Sequence, residues 1–211
     1  MTGFSKPSLF LISFFSLLVA AGLTSCGSNS FSFGGDTHNK MIVSVQDQKM
    51  LLVRDGTPVK SYKISTSKFG VGDGPGSNRT PLGRLQVAKK IGDNAPIGCV
   101  FKARRPTGEV IVPNAPGRDP VVTRIMWLSG TESRNQNAFR RTIYIHGTPE
   151  ERRLGTPASY GCIRMGSKDV ADLYNRIGTG ADVFIIRGSI QTKKEEESTA
   201  STGKSNIRSR G

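Results

Sequence analysis

Tyr144-Ile145-His146-Gly147-Thr148 and, after a ten-residue spacer, Ser159-Tyr160-Gly161-Cys162-Ile163-Arg164 form the stretch on which the reading of this chain turns. It holds one of only two histidines; the other, His38, lies near a Ser/Gly-rich segment. A thiol attacks as its thiolate, and an ordinary cysteine is mostly protonated at neutral pH, so a catalytic Cys needs a base or a cation beside it. Imidazole titrates close enough to neutrality to serve. The short apolar run ending in His146 predicts a strand that delivers the imidazole to a sheet edge. Gly161 leaves the backbone beside Cys162 without a Cβ, which permits unusual dihedral angles and close approach of a substrate. A coupled pair further predicts a low thiol pKa that rises when His146 is replaced.

Outward from this stretch, the chain reads as many short strands and one helix. Met41 to Val45 and Met50 to Arg54 flank a polar turn and predict a hairpin. Val59 to Ser65 alternates apolar and polar residues, the period of a strand with one wet face. Gly70 to Gly83 is loop, Arg84 to Ala88 a strand, and Pro/Gly-rich connections follow to Pro120. Val121 to Leu128, Thr142 to His146 and Asp182 to Arg187 are further strands. The helix takes Ser167 as N-cap, with Val170, Leu173, Tyr174 and Ile177 on one face and Gly178 at its end. The fold class is mainly β.

The ends differ from the body. Lys6 precedes an apolar run, Leu9 to Gly22, that is short for a bilayer span. It closes on Leu23-Thr24-Ser25-Cys26, the pattern of a bacterial lipobox; an ordinary secretory peptide is the alternative. Residues 1–25 are therefore expected to be a signal peptide, Cys26 the lipidation site, and 26–39 a flexible tether. Residues 40–188 form one domain, and 189–211, rich in Ser, Thr, Lys and Glu, a disordered tail. The formal charge is +14; Lys6 and a net two from the tail leave +11 on the mature body. Scattered arginines and an export signal argue against nucleic acid as a partner and fit an anionic envelope, the membrane through the N-terminal lipid or peptidoglycan carboxylates. Cys99, in the apolar run Pro96 to Phe101, reads as a small core side chain. A zinc site of Cys99, His146 and Cys162 lacks any close-spaced Cys pair, so no metal or cofactor is expected.

His-Gly-Thr, the spacer and Ser-x-Gly-Cys-Ile-Arg together resemble the signature of the L,D-transpeptidases of the YkuD type, cysteine acyltransferases of bacterial cell-wall peptides. Thr80-Pro81-Leu82-Gly83 resembles that family's Thr-Pro-x-Gly turn, and Asp169 to Val183 its closing helix and strand. The resemblance covers about residues 40–187. Tyr160 departs from it, standing where many members carry a second His. It implies a curved mixed-sheet β-sandwich with one main helix after the nucleophile, Cys162 as nucleophile, His146 as proton donor and acceptor, and peptidoglycan stem peptides as substrate.

Around that pair, Ser159 is expected to make a loop hydrogen bond or support the site, and Tyr160 to shield the thiol or pack on substrate. Arg164 either fixes the loop or pairs with a substrate carboxylate through its planar fork. Backbone N–H groups at Gly161 and Cys162 are candidates for oxyanion donors. Gly147 has no side-chain acceptor, so a backbone carbonyl is expected to orient the imidazole. Arg140 and Arg141 read as a solvated edge. The acyl acceptor stays open between a stem amine, a protein lysine and water. Sortases also order His, Cys, Arg, but with the Arg farther on. A lipoprotein that binds peptidoglycan without turnover is the non-enzymatic alternative. Localisation follows as cell envelope, membrane-anchored.

Overall fold

A computed structural model describes residues 35–190 and Gly3. The expected signal peptide (apart from Gly3), Cys26, most of the tether and the tail beyond residue 190 lie outside the described residues. Ten strands and one α-helix make up the body: β1 (Asn39–Ser44), β2 (Lys49–Arg54), β3 (Thr57–Ser65), β4 (Gly83–Ile91), β5 (Cys99–Lys102), β6 (Arg105–Val110), β7 (Val121–Gly130), β8 (Tyr144–Gly147), β9 (Ile163–Met165), α1 (Ser167–Arg176) and β10 (Asp182–Ile186). The domain is mainly β, with a mixed sheet, as expected. No helix among the described residues is long and apolar enough to cross a membrane.

The sheet runs β4-β10-β1-β2-β3-β9-β8-β7-β5-β6, with β4 also paired to β7. That extra pairing closes eight of the strands on themselves, because long β7 gives one edge to β8 and shares the other between β5 and β4. Pairings β1–β10 and β8–β9 are parallel. The β2–β3 hairpin turns at Asp55-Gly56, both with positive φ (48° and 81°), the geometry that Asp-Gly supplies for a tight hairpin.

Inside the closed sheet, Met41, Leu52, Ile64, Leu85, Met126, Leu128, Ile145 and Ile163 join α1's Val170, Leu173 and Tyr174 in one buried cluster. Each fully buried aliphatic side chain there is worth about 1.5–3 kcal/mol. A second, smaller cluster lies on the opposite face of β7 and β8: Cys99, Phe101, Ile125 and Tyr144, with Trp127 and Cys162 packed against it. The strand period of two explains the split, since Ile145 and Met126 face inward while Tyr144, His146 and Ile125 face the other side.

Three local expectations change. The helix N-cap is Gly166, not Ser167; the Glu151 carboxylate accepts from the Ser167 N–H (2.7 Å), so an acidic residue from a neighbouring turn does the capping. Strands β5 and β6 stand where the sequence suggested connections. Their turn is Ala103-Arg104, both at positive φ (49° and 66°), without the Gly or Asn that usually marks it. The packed body also begins earlier than residue 40: Asp36 accepts from Asn39 Nδ2 and from the Gly178 N–H.

Candidate active site

β8 is an interior strand, antiparallel to β7 and parallel to β9, so His146 arrives at the end of a central strand rather than at a sheet edge. The register sets His146 opposite Arg164, with Ile145 opposite Ile163. Cys162 immediately precedes β9 and lies beside Tyr144, whose N–H donates to its Sγ (3.4 Å). Tyr144 and His146, two apart on one strand, share a face, so Cys162 and the imidazole come to the same side about two residue steps, or roughly 7 Å, apart along the strand. β7 accommodates this with a bulge between Val122 and Ile125, where Thr123 takes φ 69°. The bulge turns Ile125 toward His146 and the second cluster.

Gly147 makes the His146 position possible. A Cβ there would lie 2.6 Å from the Val122 carbonyl oxygen and 3.1 Å from Val170 Cγ1, so only glycine lets β8 sit between β7 and α1. Its own carbonyl lies 2.8 Å from His146 Nδ1. A carbonyl oxygen can only accept, so Nδ1 carries the proton and Nε2 of the neutral ring presents a lone pair. The expected orienting carbonyl is therefore that of the adjacent residue. Burial, helped by the Arg164 guanidinium, pushes the imidazole down to about 4, against the Gly147 carbonyl and Asp119, which raise it.

The thiol moves the other way. Burial against the apolar second cluster pushes Cys162 up to about 11, although the Tyr144 N–H and the cations of Arg164 and Arg141 oppose it. Sγ also donates to the Thr142 carbonyl (3.5 Å), a bond that favours the protonated form. The direction is opposite to the low thiol pKa expected from a coupled Cys–His pair. Both shifts run toward the neutral forms, a thiol and a neutral imidazole, with His146 buried and Cys162 only partly so.

The loop that carries Cys162 is held from three sides. Ser159, fully buried, donates through Oγ to the Cys162 carbonyl (2.6 Å) and accepts from the Gly161 N–H (3.2 Å). Thr80 Oγ1 donates to the Gly161 carbonyl (3.0 Å). Gly161 takes φ 119°, and a Cβ there would meet Ile143 Cδ1 at 3.2 Å and the Arg79 carbonyl at 3.3 Å. Glycine is required by both conformation and space.

A model of the L,D-transpeptidase catalytic domain, YkuD, matches residues 38–185. The chain belongs to this family. No curated protein matches the sequence. Among solved structures, an L,D-transpeptidase from Mycobacterium smegmatis is 15% identical (TM-score 0.46, covering 71% of this chain and 58% of that one). One from Mycobacterium tuberculosis H37Rv is 17% identical (TM-score 0.47, 71% and 58%). An Enterococcus faecium L,D-transpeptidase mutant is 18% identical (TM-score 0.46, 71% and 50%). The chain spans between half and three-fifths of the length of these proteins.

In this L,D-transpeptidase domain several charged residues sit differently from expectation. Arg164 does not present a free fork to solvent: its side chain is 10% exposed and pairs with Asp119 and, at 3.8 Å, with Glu150. Its guanidinium is thus engaged by carboxylates of the protein itself. Arg141 is not a solvated edge either. It is an ion-pair partner of Asp73 (3.0 Å), with both side chains 7% exposed, and it donates to the carbonyls of Gly72 (3.1 Å) and Arg79 (2.6 Å). This ties the glycine-rich loop to the residues before β8. Tyr160 is 58% exposed and does not cover the thiol as a buried wall; it stacks at a tilt on Phe69 (5.5 Å) and receives a hydrogen bond from Lys68 (3.0 Å).

Thr80 stood inside a recognised turn, but its bond to Gly161 spans 81 positions and had no local signal. Asp119, which pairs with Arg164 and accepts from Thr148 Oγ1, sits in a stretch read only as connection. Cys99 is buried and free, as is appropriate to a core thiol, and Cys162 is free. Among the described residues no group of three or more His, Cys, Asp or Glu side chains is placed to hold a metal.

Proposed function

We propose that the chain is a peptidoglycan L,D-transpeptidase of the cell envelope. Cys162 attacks the carbonyl of the L-centre in a stem tetrapeptide, and His146 Nε2 takes the thiol proton as the C–S bond forms. The imidazolium then protonates the departing D-Ala nitrogen, leaving an acyl thioester on Cys162. An amine of a second stem attacks the thioester, loses a proton to His146, and regenerates the thiol while the cross-link forms. A thioester suits this task because it passes its acyl group readily to amines.

The observation that carries the reading is the shared face of β8 and β9, on which a neutral, Nδ1-protonated imidazole and a neutral thiol stand together. The deprotonation of Cys162 therefore accompanies attack rather than preceding it. Of the two expected oxyanion donors, the Gly161 N–H is engaged by Ser159 Oγ, which leaves the Cys162 N–H as the candidate. Arg164, paired internally, holds the loop and contributes its field to the thiolate as it forms. A lipid on Cys26 and the short segment after it would keep the domain at a membrane surface.

Incubating the residue 35–190 body, linked to its native flanks, with disaccharide-tetrapeptide and reading products by mass spectrometry tests the proposal. Cross-linked dimer is the expected product. Tripeptide alone at every concentration would make water the acceptor and L,D-carboxypeptidase the better name. No product together with an unmodified Cys162 would overturn catalysis and leave a peptidoglycan-binding lipoprotein.

A further inference from the structure

We infer that Lys68, Phe69 and Tyr160 form a receptor for a free carboxylate of the stem peptide, on the approach to Cys162. The inference rests on the stem-peptide reading above and names a subsite within it. Ser67 and Ser159 are paired in a bridge, and the Lys68 N–H donates to the Ser159 carbonyl (3.1 Å), so the two segments that carry these three side chains are locked side by side. Ser67 and Ser159 are themselves buried, which makes the base of the subsite rigid. Tyr160 lies two residues before the nucleophile.

Two large rings stand unusually open for so ordered a segment: Phe69 is 45% and Tyr160 58% exposed. Their centroids are 5.5 Å apart at an interplanar angle of 55°, a tilted clip rather than a flat stack. The Lys68 ammonium lies over both, 4.4 Å from the Tyr160 centroid and 5.3 Å from that of Phe69. It donates one hydrogen to Tyr160 Oη at 3.0 Å. The flexible lysine is thereby held in one place, at little further cost on binding. Because the phenol oxygen accepts that bond, its own O–H remains available to donate.

Charge decides which ligand fits. The cations that act on the nucleophile, Arg141 and Arg164, are already matched by Asp73 and by Asp119 with Glu150. Lys68, among the described residues, has no carboxylate partner within 4.0 Å. The charged groups acting on Tyr160 are all positive: Lys68, Arg164 and Arg153. An ammonium and a phenol O–H with unused donors, over two apolar ring faces, match a carboxylate carried on an aliphatic peptide chain: the oxygens take the donors and the methylenes cover the rings. A neutral amide at the same place would accept a weaker bond and forgo the charge.

The experiment measures binding apart from turnover. Cys162→Ala protein, which cannot be acylated, is titrated with two stem tetrapeptides that differ only in whether the free carboxylate is amidated. Amidation is expected to weaken binding about tenfold, and the same comparison in Cys162→Ala/Lys68→Met is expected to show no preference. Cys162→Ala/Tyr160→Phe should keep part of the preference. Arg153→Met, which removes an equal charge nearby, should leave the preference intact, separating a specific contact from the general field. Equal affinities for the two peptides, or a preference that survives Lys68→Met, overturns the subsite. Acylation of wild-type Cys162 is followed separately by mass spectrometry. Preference without acylation would sink the proposed activity and keep the subsite; acylation without preference would do the reverse.

Discussion

The pH dependence of Cys162 alkylation offers the sharpest test of the site's resting state. Its thiol is pushed from an ordinary 9.0 up to about 11 by burial against Cys99, Phe101, Ile125 and Tyr144. Two pK units correspond to about 2.7 kcal/mol of preference for the protonated form. At pH 7 the thiolate fraction is then about one in ten thousand, roughly a hundredfold below that of an unperturbed thiol. Iodoacetamide, small and uncharged, reports that fraction when the Cys162 peptide is quantified by mass spectrometry, so that Cys99 does not contribute. The modification rate should start about a hundredfold below that of a model thiol at pH 7. It should then climb tenfold per pH unit with no plateau up to pH 10. His146→Gln should leave this profile nearly unchanged, because the neutral imidazole contributes little charge to the resting thiol, while abolishing turnover. A plateau below pH 8 that disappears in His146→Gln would refute the argument: it would mean that thiolate and imidazolium coexist at rest and that burial does not dominate.

Stability should fall on acidification through His146. Its folded pKa is about 4 against 6.5, so the unfolded chain binds more protons between those values. The contribution is fully present above pH 6.5, is lost as pH falls toward 4, and amounts to at most about 3 kcal/mol; denaturant midpoints at pH 7 and 4.5 should converge in His146→Gln. Gly147→Ala, whose Cβ would meet the Val122 carbonyl at 2.6 Å, should destabilise by about 2 kcal/mol or more through overpacking, and an unshifted thermal midpoint would contradict the packing described. Asp73→Asn strands the buried Arg141 charge and should cost about 3 kcal/mol; a double variant, Asp73→Asn/Arg141→Met, should recover much of it, and no recovery would show that the ion pair is not the cause.

The fold was legible where short-range chemistry sets it. Alternating apolar and polar residues marked β3, the apolar stripe marked α1, and Asp55-Gly56 suits the β2–β3 turn. The β5–β6 hairpin was not legible: Ala103-Arg104 supplies the left-handed turn without a turn residue, and all six β6 residues are exposed, so no buried face marks the strand. In the site, the local pattern singled out His146, Gly147, Ser159, Gly161 and Cys162, and the structure gathers them around one loop and one strand end. It could not reveal that Arg141 is buried, since its partner Asp73 lies 68 positions away, nor that Asp119 occupies Arg164.

What the sequence by itself determined is the inventory: a mainly β domain of the L,D-transpeptidase family, with His146 and Cys162 spaced to meet. These follow from residue type, period and motif, which are local properties of the chain. Tertiary structure alone decided the electrical state of that pair. A pKa depends on everything within several ångströms of the group, whatever its place in the sequence. Here β5 brings Cys99 and Phe101 against the thiol, the connection before β7 brings Asp119 to Arg164, and the glycine-rich loop brings Thr80 to Gly161. Closure of the sheet through β4 and β7 makes the domain one enclosed body, and burial favours the neutral form of both partners.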